Sequence, residues 1–511
     1  MNGTLVQLKD VAGRRVVEDA ADVVIIGSGA AGAAAARVLT EAGVDVVILE
    51  EGPHVPTEEL RSDMYTAFKR VWRGMGFQVA KGRAFTPVLQ GSCVGGTTAI
   101  NGAIIHRLPE PIHRIWRTEH GLSDMLSFDE LTRVYDTLDR ELFVDRAPED
   151  VLGNNSKLMR AGVRALGLTG NEIRRNVQGC VGSAHCNQGC PTARRQSMNN
   201  SYIPRAIRAG ARLYANCAAQ KILRDGSRAV GVAGRFGDRL TKTIGPELRV
   251  RAKHAVIVAA SAIQTPLILL DNGIGRRSKL VGQRLQTHPG TGIVGVFDQP
   301  VEMWFGATQG YETTHFWNER MKFETVTMPL EFAAARLPGT GPELMRELGS
   351  YGHLAIWGVQ VRARAHGRVR RTAFGGTAIS YDLTDEDVRS LKLGVKRLTE
   401  MMFAAGAREV LPGIHGLPDR IHSPAEIEPI FDLPDDPRFL HCIAAHLFGT
   451  AKLGPEPSSS VVTPELEAHD LAGLYVTDSS VFPTNMGVNP QHTICAVSWL
   501  AAERIAEKVG H

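Results

Sequence analysis

Cysteine is scarce in this chain, with seven in 511 residues, four of them isolated from one another. That density excludes a fold held by a disulfide framework. Aromatic residues make up only 6%, and 58 Lys+Arg stand against 54 Asp+Glu without any basic tract long enough to serve as a nucleic-acid footprint. No run of about eighteen apolar residues occurs, so no transmembrane helix is expected. Arg14 and Arg15 precede an apolar run, but Glu18, Asp19 and Asp22 intervene, so no export signal is read and a reducing cytoplasm is the expected compartment. The most basic stretch, VRARAHGRVRR, places Arg362, Arg364, Arg368 and Arg370 at period two, as a solvated edge strand would, with docking of an acidic partner as the alternative.

Glycine, by contrast, is abundant at 53 residues, and the length exceeds what one core usually supports. Two or more domains are expected, interleaved or in series. The stretch ADVVIIGSGAAGAAAARVLTEAGVDVVILEEG predicts a buried strand at Val23 to Ile26, a glycine turn, an alanine-rich helix ending near Gly43 and a second strand closing on Glu50. Gly27 permits the turn, Gly29 lets backbone amides approach a pyrophosphate, and Gly32 lets helix and strand pack closely. Glu50 is placed to accept hydrogen bonds from a ribose. This is a dinucleotide-binding unit, open at this point to either FAD or NAD.

A second glycine-rich loop, GSCVGGTTAINGA, runs from Gly91 to Ala103 and suits contacts with a second part of a long cofactor. Near the C-terminus a short strand ends at Asp478, followed by a loop and a helix that Asn489 can cap, with Pro490 in its first turn and Gly510 at its end. Ile494, Val497, Ala501, Ile505 and Val509 fall on one inward face.

At these residues the chain resembles the glucose-methanol-choline (GMC) oxidoreductases, flavoproteins that include alcohol oxidases and dehydrogenases. The resemblance covers the N-terminal unit, GSCVGGTTAINGA, HAVIVAASAIQTPLILLDNGIG, GQRLQTHP, HLFGTAKLG and GLYVTDSSVFPTNMGVNPQHT, in the family's order. It implies an α/β fold in which a Rossmann-type FAD-binding domain (17–108, 191–289 and 441–511) is interleaved with a sheet-plus-helices substrate domain (290–440), joined by a helical connection with a cysteine-rich loop (109–190). It implies that Gly27, Gly29, Gly32 and Glu50 bind the ADP half of FAD, that Gly95, Gly96 and Asn101 lie near the pyrophosphate and flavin, and that Asp478 lies near the ribityl chain. The position at which some members attach FAD through histidine is Ile100 here, so the FAD is expected to be noncovalent.

The same resemblance selects His446, at the head of HLFGTAKLG, as general base, and Asn489 as its partner. Alcohol oxidation moves a proton from the hydroxyl and a hydride from the carbon; His446 can take the proton, and Asn489 can hydrogen-bond the oxygen. The helix after Pro490, if aimed at the flavin, would stabilise the negative charge that hydride transfer deposits there. His441 and His492 are the rival bases, and His288 reads as structural. Trp304, Phe305, Phe316, Trp317, Phe323 and Phe332 are dense in the substrate segment; if some line the pocket, a bulky hydrophobic or aromatic alcohol is favoured.

The three clustered cysteines, Cys180, Cys186 and Cys190 of CVGSAHCNQGCP, have spacing C-x5-C-x3-C before Pro191. The segment resembles that of GMC dehydrogenases in which three cysteines hold a three-iron, four-sulfur cluster, which would pass electrons singly to an external carrier. Zinc with His185 or Cys217, a disulfide, and three unmetallated thiols are the alternatives, the last leaving oxygen as the acceptor. The expected activity is FAD-dependent oxidation of an alcohol with an acceptor other than NAD. A lyase on the same fold, an oxygen-using oxidase and an electron-relay subunit are the competing readings.

Overall fold

The computed structural model describes residues 3 to 510. Its first sheet grows from the strand Val16–Ile26, whose last four residues are apolar at every position because both faces are covered. That strand pairs in parallel with Val46–Leu49 on one side and Thr243–Val258 on the other. Arg212–Tyr214 and Thr4–Val6 extend the sheet beyond Val46–Leu49, and the antiparallel strands Arg228–Asp238 and Cys217–Asp225 complete the far side. Leu474–Val476 adds in parallel to the end of Thr243–Val258, bringing the chain back beside its start.

Helix Ala30–Glu41 follows the first strand at close range. Ala33 to Ala36 are fully buried, and a Cβ at position 32 would collide with the Gly27 carbonyl oxygen. Gly27 itself has φ +101°, a backbone that side-chain-bearing residues rarely adopt. The C-terminal helix Gln491–Gly510 covers Ala30–Glu41, with Ser498 Oγ donating to the Ala31 carbonyl at 2.8 Å. Its first intrahelical bond runs from Ile494 N to the Pro490 carbonyl, so Pro490 and not Asn489 stands at the cap position. Asn489 is drawn instead to a buried lysine, described below.

The second sheet has seven strands, antiparallel throughout: Glu409–Leu411, Gln286–Val296, Leu354–Val361, Met321–Thr325, Tyr311–Thr313 and Asn171–Glu172, with Ile443–Phe448 added to the start of Gln286–Val296. Helix Asp385–Ala404, capped by Thr384 accepting from Asp387 N, lays Val388, Leu391, Val395 and Leu398 against it. The expected limits at 289/290 and 440/441 do not coincide with the sheets. Strand Gln286–Val296 runs through the first limit, Ile443–Phe448 lies beyond the second, and Asn171–Glu172 comes from the helical connection.

The basic stretch becomes an edge strand only at Arg368–Arg371, paired with Thr377–Ser380. Arg362 and Arg364 precede it. Arg364 N and Ala365 N donate to the Asp387 carboxylate, which takes them out of strand pairing.

Candidate active site

A cavity of about 1750 Å³ runs between the two sheets, larger than the roughly 300–1,000 Å³ of a typical ligand pocket. Gly27, Gly29 and Glu50 line one end; His288, His446 and Asn489 line the other. Glu50, at the tip of its strand, accepts from Ser28 N at 3.0 Å and Ser28 Oγ at 2.7 Å on one oxygen, and from Gly52 N at 2.8 Å on the other. Ser28 also accepts from Gly95 N at 3.0 Å, so one hydroxyl couples the two glycine loops. Gly95 has φ +92° and a Cβ there would press on Asn199, whereas Gly96 faces the cavity together with Thr97 and Thr98. Gly32 and Gly95 are therefore packing residues, and Gly27, Gly29 and Gly96 form the wall.

The middle of the cavity is fitted for a phosphate-bearing dinucleotide. The N-termini of Ala30–Glu41 and Gln491–Gly510 both open onto it, through Ala30, Ala31, Pro490 and Gln491. The Gln491 amide accepts from Asn101 Nδ2 at 2.6 Å, while its own Nε2, buried, has no partner in the protein. Such a donor calls for an acceptor brought by a ligand. Asp478 also borders the cavity, but its carboxylate is already held by Ser261 N, Thr265 Oγ1 and Ser480 N. Burial raises its pKa above the usual carboxylate range, although those bonds oppose the shift.

The far end depends on one irregularity. Strands Gln286–Val296 and Ile443–Phe448 pair in register at Thr287/Leu447 and again at Pro289/Ala444, leaving His288 opposite Ala445 and His446. The extra residue bulges the second strand and turns His446 toward His288 and the cavity. Nδ1 of His446 lies 3.2 Å from Nδ1 of His288, and its Nε2 lies 3.3 Å from Asn489 Nδ2. Burial first, then the charges of Lys322 and His106, push the His446 pKa down to about 3, so the ring is neutral at ordinary pH. Burial also holds His288 well below 6.5, and its Nε2 accepts from Gly487 N at 2.8 Å. His288, read from sequence as structural, is therefore part of the site.

Behind Asn489 lies a charge cluster that the sequence did not disclose. Lys322, fully buried, donates to Asn489 Oδ1 at 3.0 Å, Glu324 Oε2 at 2.6 Å and Glu312 Oε2 at 2.8 Å. His106 Nε2 meets Glu312 at 3.0 Å. Burial opposes ionisation of Glu312, but His106 and Lys322 prevail and hold it well below the usual range; Lys322 is held above its ordinary value by the two carboxylates despite burial.

Of the rival histidines, His492 is locked onto Asp139 at 2.9 Å, stacked on Tyr135 and away from the cavity wall. His441 borders the cavity. The expected aromatic lining is mostly elsewhere. Trp304 and Phe305 are about half exposed, Phe316 and Phe323 are core, and Trp317 lies under Arg362. Only Phe332 reaches the cavity, joined edge-to-face by Phe68 and Trp72 from the segment before the second glycine loop.

The cysteine loop is not arranged as a metal centre. Among the described residues no group of three His, Cys, Asp or Glu is placed to hold an ion, so the structure supports neither the iron-sulfur reading of Cys180, Cys186 and Cys190 nor the zinc alternative. The loop is instead organised by arginine. Cys186 Sγ accepts from Arg175 Nη2 at 3.2 Å, and Cys190 Sγ from Arg195 N at 3.4 Å. The buried Arg195 guanidinium donates to the carbonyls of Cys186 at 2.8 Å, Asn101 at 2.5 Å, and Ala99. It braces the Asn101 loop where a cluster was expected. All seven cysteines are free.

Models described as GMC oxidoreductase match residues 21–290 and 364–498. An uncharacterised GMC-type oxidoreductase of Mycobacterium tuberculosis (strain CDC 1551 / Oshkosh) is 35% identical over 494 residues, covering 96% of this chain and 76% of that protein. A long-chain-alcohol oxidase of Arabidopsis thaliana is 27% identical over 94% of this chain and 67% of its own length. A crystal structure of formate oxidase superposes with a TM-score of 0.72 at 16% identity, covering 96% of this chain and 99% of that one, a likeness of fold.

Proposed function

The chain belongs to the GMC oxidoreductase family of FAD flavoproteins, and from that premise we propose that it oxidises the hydroxyl carbon of a bulky hydrophobic alcohol to a carbonyl. The observation that supports this most is the meeting of His446 and Asn489, 43 positions apart in sequence, on one wall of the cavity whose other end carries Gly27, Gly29 and Glu50. FAD would be held without a covalent bond by Gly27, Gly29, Glu50, Gly96, Asn101, Gln491 and the two helix N-termini, with Gly32, Gly95 and Asp478 shaping the wall. When bound it supplies the hydride acceptor.

The protein's own part is to receive the hydroxyl oxygen at His446 and Asn489, keep it out of water and strip its proton. Phe68, Trp72 and Phe332 give the substrate region an apolar face, which suits a hydrophobic alcohol better than a sugar. The likeness to a long-chain-alcohol oxidase runs in the same direction. Electrons leave to oxygen or an external carrier, not to NAD. The proposed compartment is a reducing cytoplasm, consistent with seven unpaired thiols.

Anaerobic mixing of the holoenzyme with a panel of alcohols, read at the flavin absorbance, tests the proposal. Bleaching by long-chain or aromatic primary alcohols, and reoxidation on admitting air, is the expected result. A flavin that no alcohol reduces would refute it.

A further inference from the structure

Among the described residues five arginines border the cavity, and four are paired with carboxylates: Arg73 with Glu51, Arg83 with Asp382, Arg371 with Asp271 and Arg438 with Asp436. Arg336 is the exception. It has no carboxylate partner among the described residues, and it donates through Nη2 to the carbonyl oxygen of Gly292. Burial lowers its pKa, opposed only by the Cys442 sulfur, yet a guanidinium stays protonated at any ordinary pH. A cation drawn out of water without a counter-charge is costly, and an anion brought by a ligand removes that cost.

Its place follows from a break in the second sheet. Along Gln286–Val296, pairing with Ile443–Phe448 ends at Gly290 and pairing with Glu409–Leu411 begins at Val294, so Gly292 stands in the gap between the two neighbours. Arg336 reaches that gap from just beyond helix Leu330–Ala334, which also carries Phe332. His441, two residues before Ile443, borders the cavity as well, and burial and then the Arg336 charge hold its pKa below 6.5. A neutral imidazole there keeps one N–H to donate.

The reacting end lies at His288, His446 and Asn489. Four residues of strand separate His288 from Gly292, about 13 Å. Glycine stands at 290, at 292 and, paired with 292, at 358, all bordering the cavity. Backbone therefore floors this stretch and leaves room for an extended chain, with Val326, Phe332 and Ile356 as apolar walls.

We propose that Arg336, with His441 beside it, is an anion-binding subsite, and that the alcohol oxidised at His446 carries a carboxylate at its far end. The substrate class is a straight-chain hydroxy acid of about ten carbons, the length that covers the distance. This deepens the alcohol-oxidising reading and rests on it for the identity of the reacting end. The planar guanidinium suits a carboxylate through two parallel N–H···O bonds. The acid group is not altered; it anchors the chain while the hydroxyl at the other end is oxidised.

The test uses holoenzyme and two ligands without a hydroxyl, decanoate and its neutral counterpart decanamide, titrated calorimetrically. Wild type is expected to bind decanoate at least roughly tenfold more tightly, a comparison that needs no variant. Arg336→Met should lose that preference and Arg336→Lys recover part of it, each variant first checked for bound flavin by its absorbance. Equal binding of the two ligands by wild type overturns the proposal. A preference that survives in Arg336→Met also overturns it, since the carboxylate would then sit at the His446 end. With ω-hydroxydecanoate and n-decanol as substrates, kcat/KM of wild type should favour the hydroxy acid, through KM more than kcat because the anchor is remote from the reacting carbon. A preference for n-decanol overturns the substrate class. A flavin that no alcohol reduces refutes the alcohol reading and leaves the decanoate preference standing, so the two failures are told apart.

Discussion

The two ends of the cavity are built from different materials. The nucleotide end is largely one stretch of chain, Gly27 to Glu50, and its parts are backbone amides, absent side chains and one carboxylate. The oxygen end draws His106, His288, Glu312, Lys322, His446 and Asn489 from well-separated segments, and every part is a side chain held by another side chain. A site made of backbone is specified locally, because a missing Cβ or a left-handed turn must occur at fixed spacing. A site made of side chains is specified by how distant strands register, and no short stretch contains it.

Substitutions should therefore fail differently at the two ends. The largest effect is expected from Gly32→Val, where the added atoms meet the Gly27 carbonyl; the expected outcome is little soluble protein and no flavin in what remains, measured as yield and the ratio of visible to ultraviolet absorbance. If Gly32→Val yields normal holoenzyme, the packing account of that glycine is wrong. At the other end, His446→Ala should leave FAD content near normal while slowing flavin reduction by roughly a hundredfold or more, about 2.7 kcal/mol of barrier, in stopped-flow mixing. Loss of FAD in that variant would show the two ends to be less separable than described.

Glu50→Ala should weaken FAD binding by roughly ten- to hundredfold, since a charged acceptor of Ser28, Gly52 and the ligand is lost, yet leave the reduction rate of saturated enzyme unchanged. The smallest effect is on stability against pH. His288 and His446 have folded pKa values below their unfolded value of about 6.5, so the unfolded chain binds more protons just below that pH. Their contribution is complete above pH 6.5 and is lost as the pH falls. Denaturant midpoints should decline on acidification from pH 6.5 to 5.5, and His288→Phe should make the slope shallower by up to roughly 1.4 kcal/mol per pH unit.

This difference in construction also governs what could be read in advance. The glycine turn, the alanine helix, the second strand and Glu50 were visible because their periodicity and spacing are local. Resemblance alone selects His446 and Asn489, and His288 reads as structural in the sequence because its role is created by a bulge that periodicity does not reveal. Lys322 and Glu324 alternate with Met321 and Phe323, the pattern of a strand with one solvated face. All five residues of Met321–Thr325 are buried, the polar face being turned toward Asn489 and Glu312. The cysteine spacing suggested ligands, but spacing does not show where a neighbouring arginine will lie, and Arg175 and Arg195 occupy the thiols' surroundings.

The cover that Gln491–Gly510 provides for Ala30–Glu41 has a meaning in the time of synthesis. The nucleotide turn leaves the ribosome early, but the helix that shields it, and the strand Leu474–Val476 beside its sheet, are made about 450 residues later. At about 5–20 residues per second the gap is roughly 20–90 s. During it the alanine face of Ala30–Glu41 is bare and the cavity lacks one of its two helix N-termini. Cofactor capture should therefore wait until Gln491–Gly510 has been made, and chains truncated before Leu474 should emerge without flavin and in need of a chaperone.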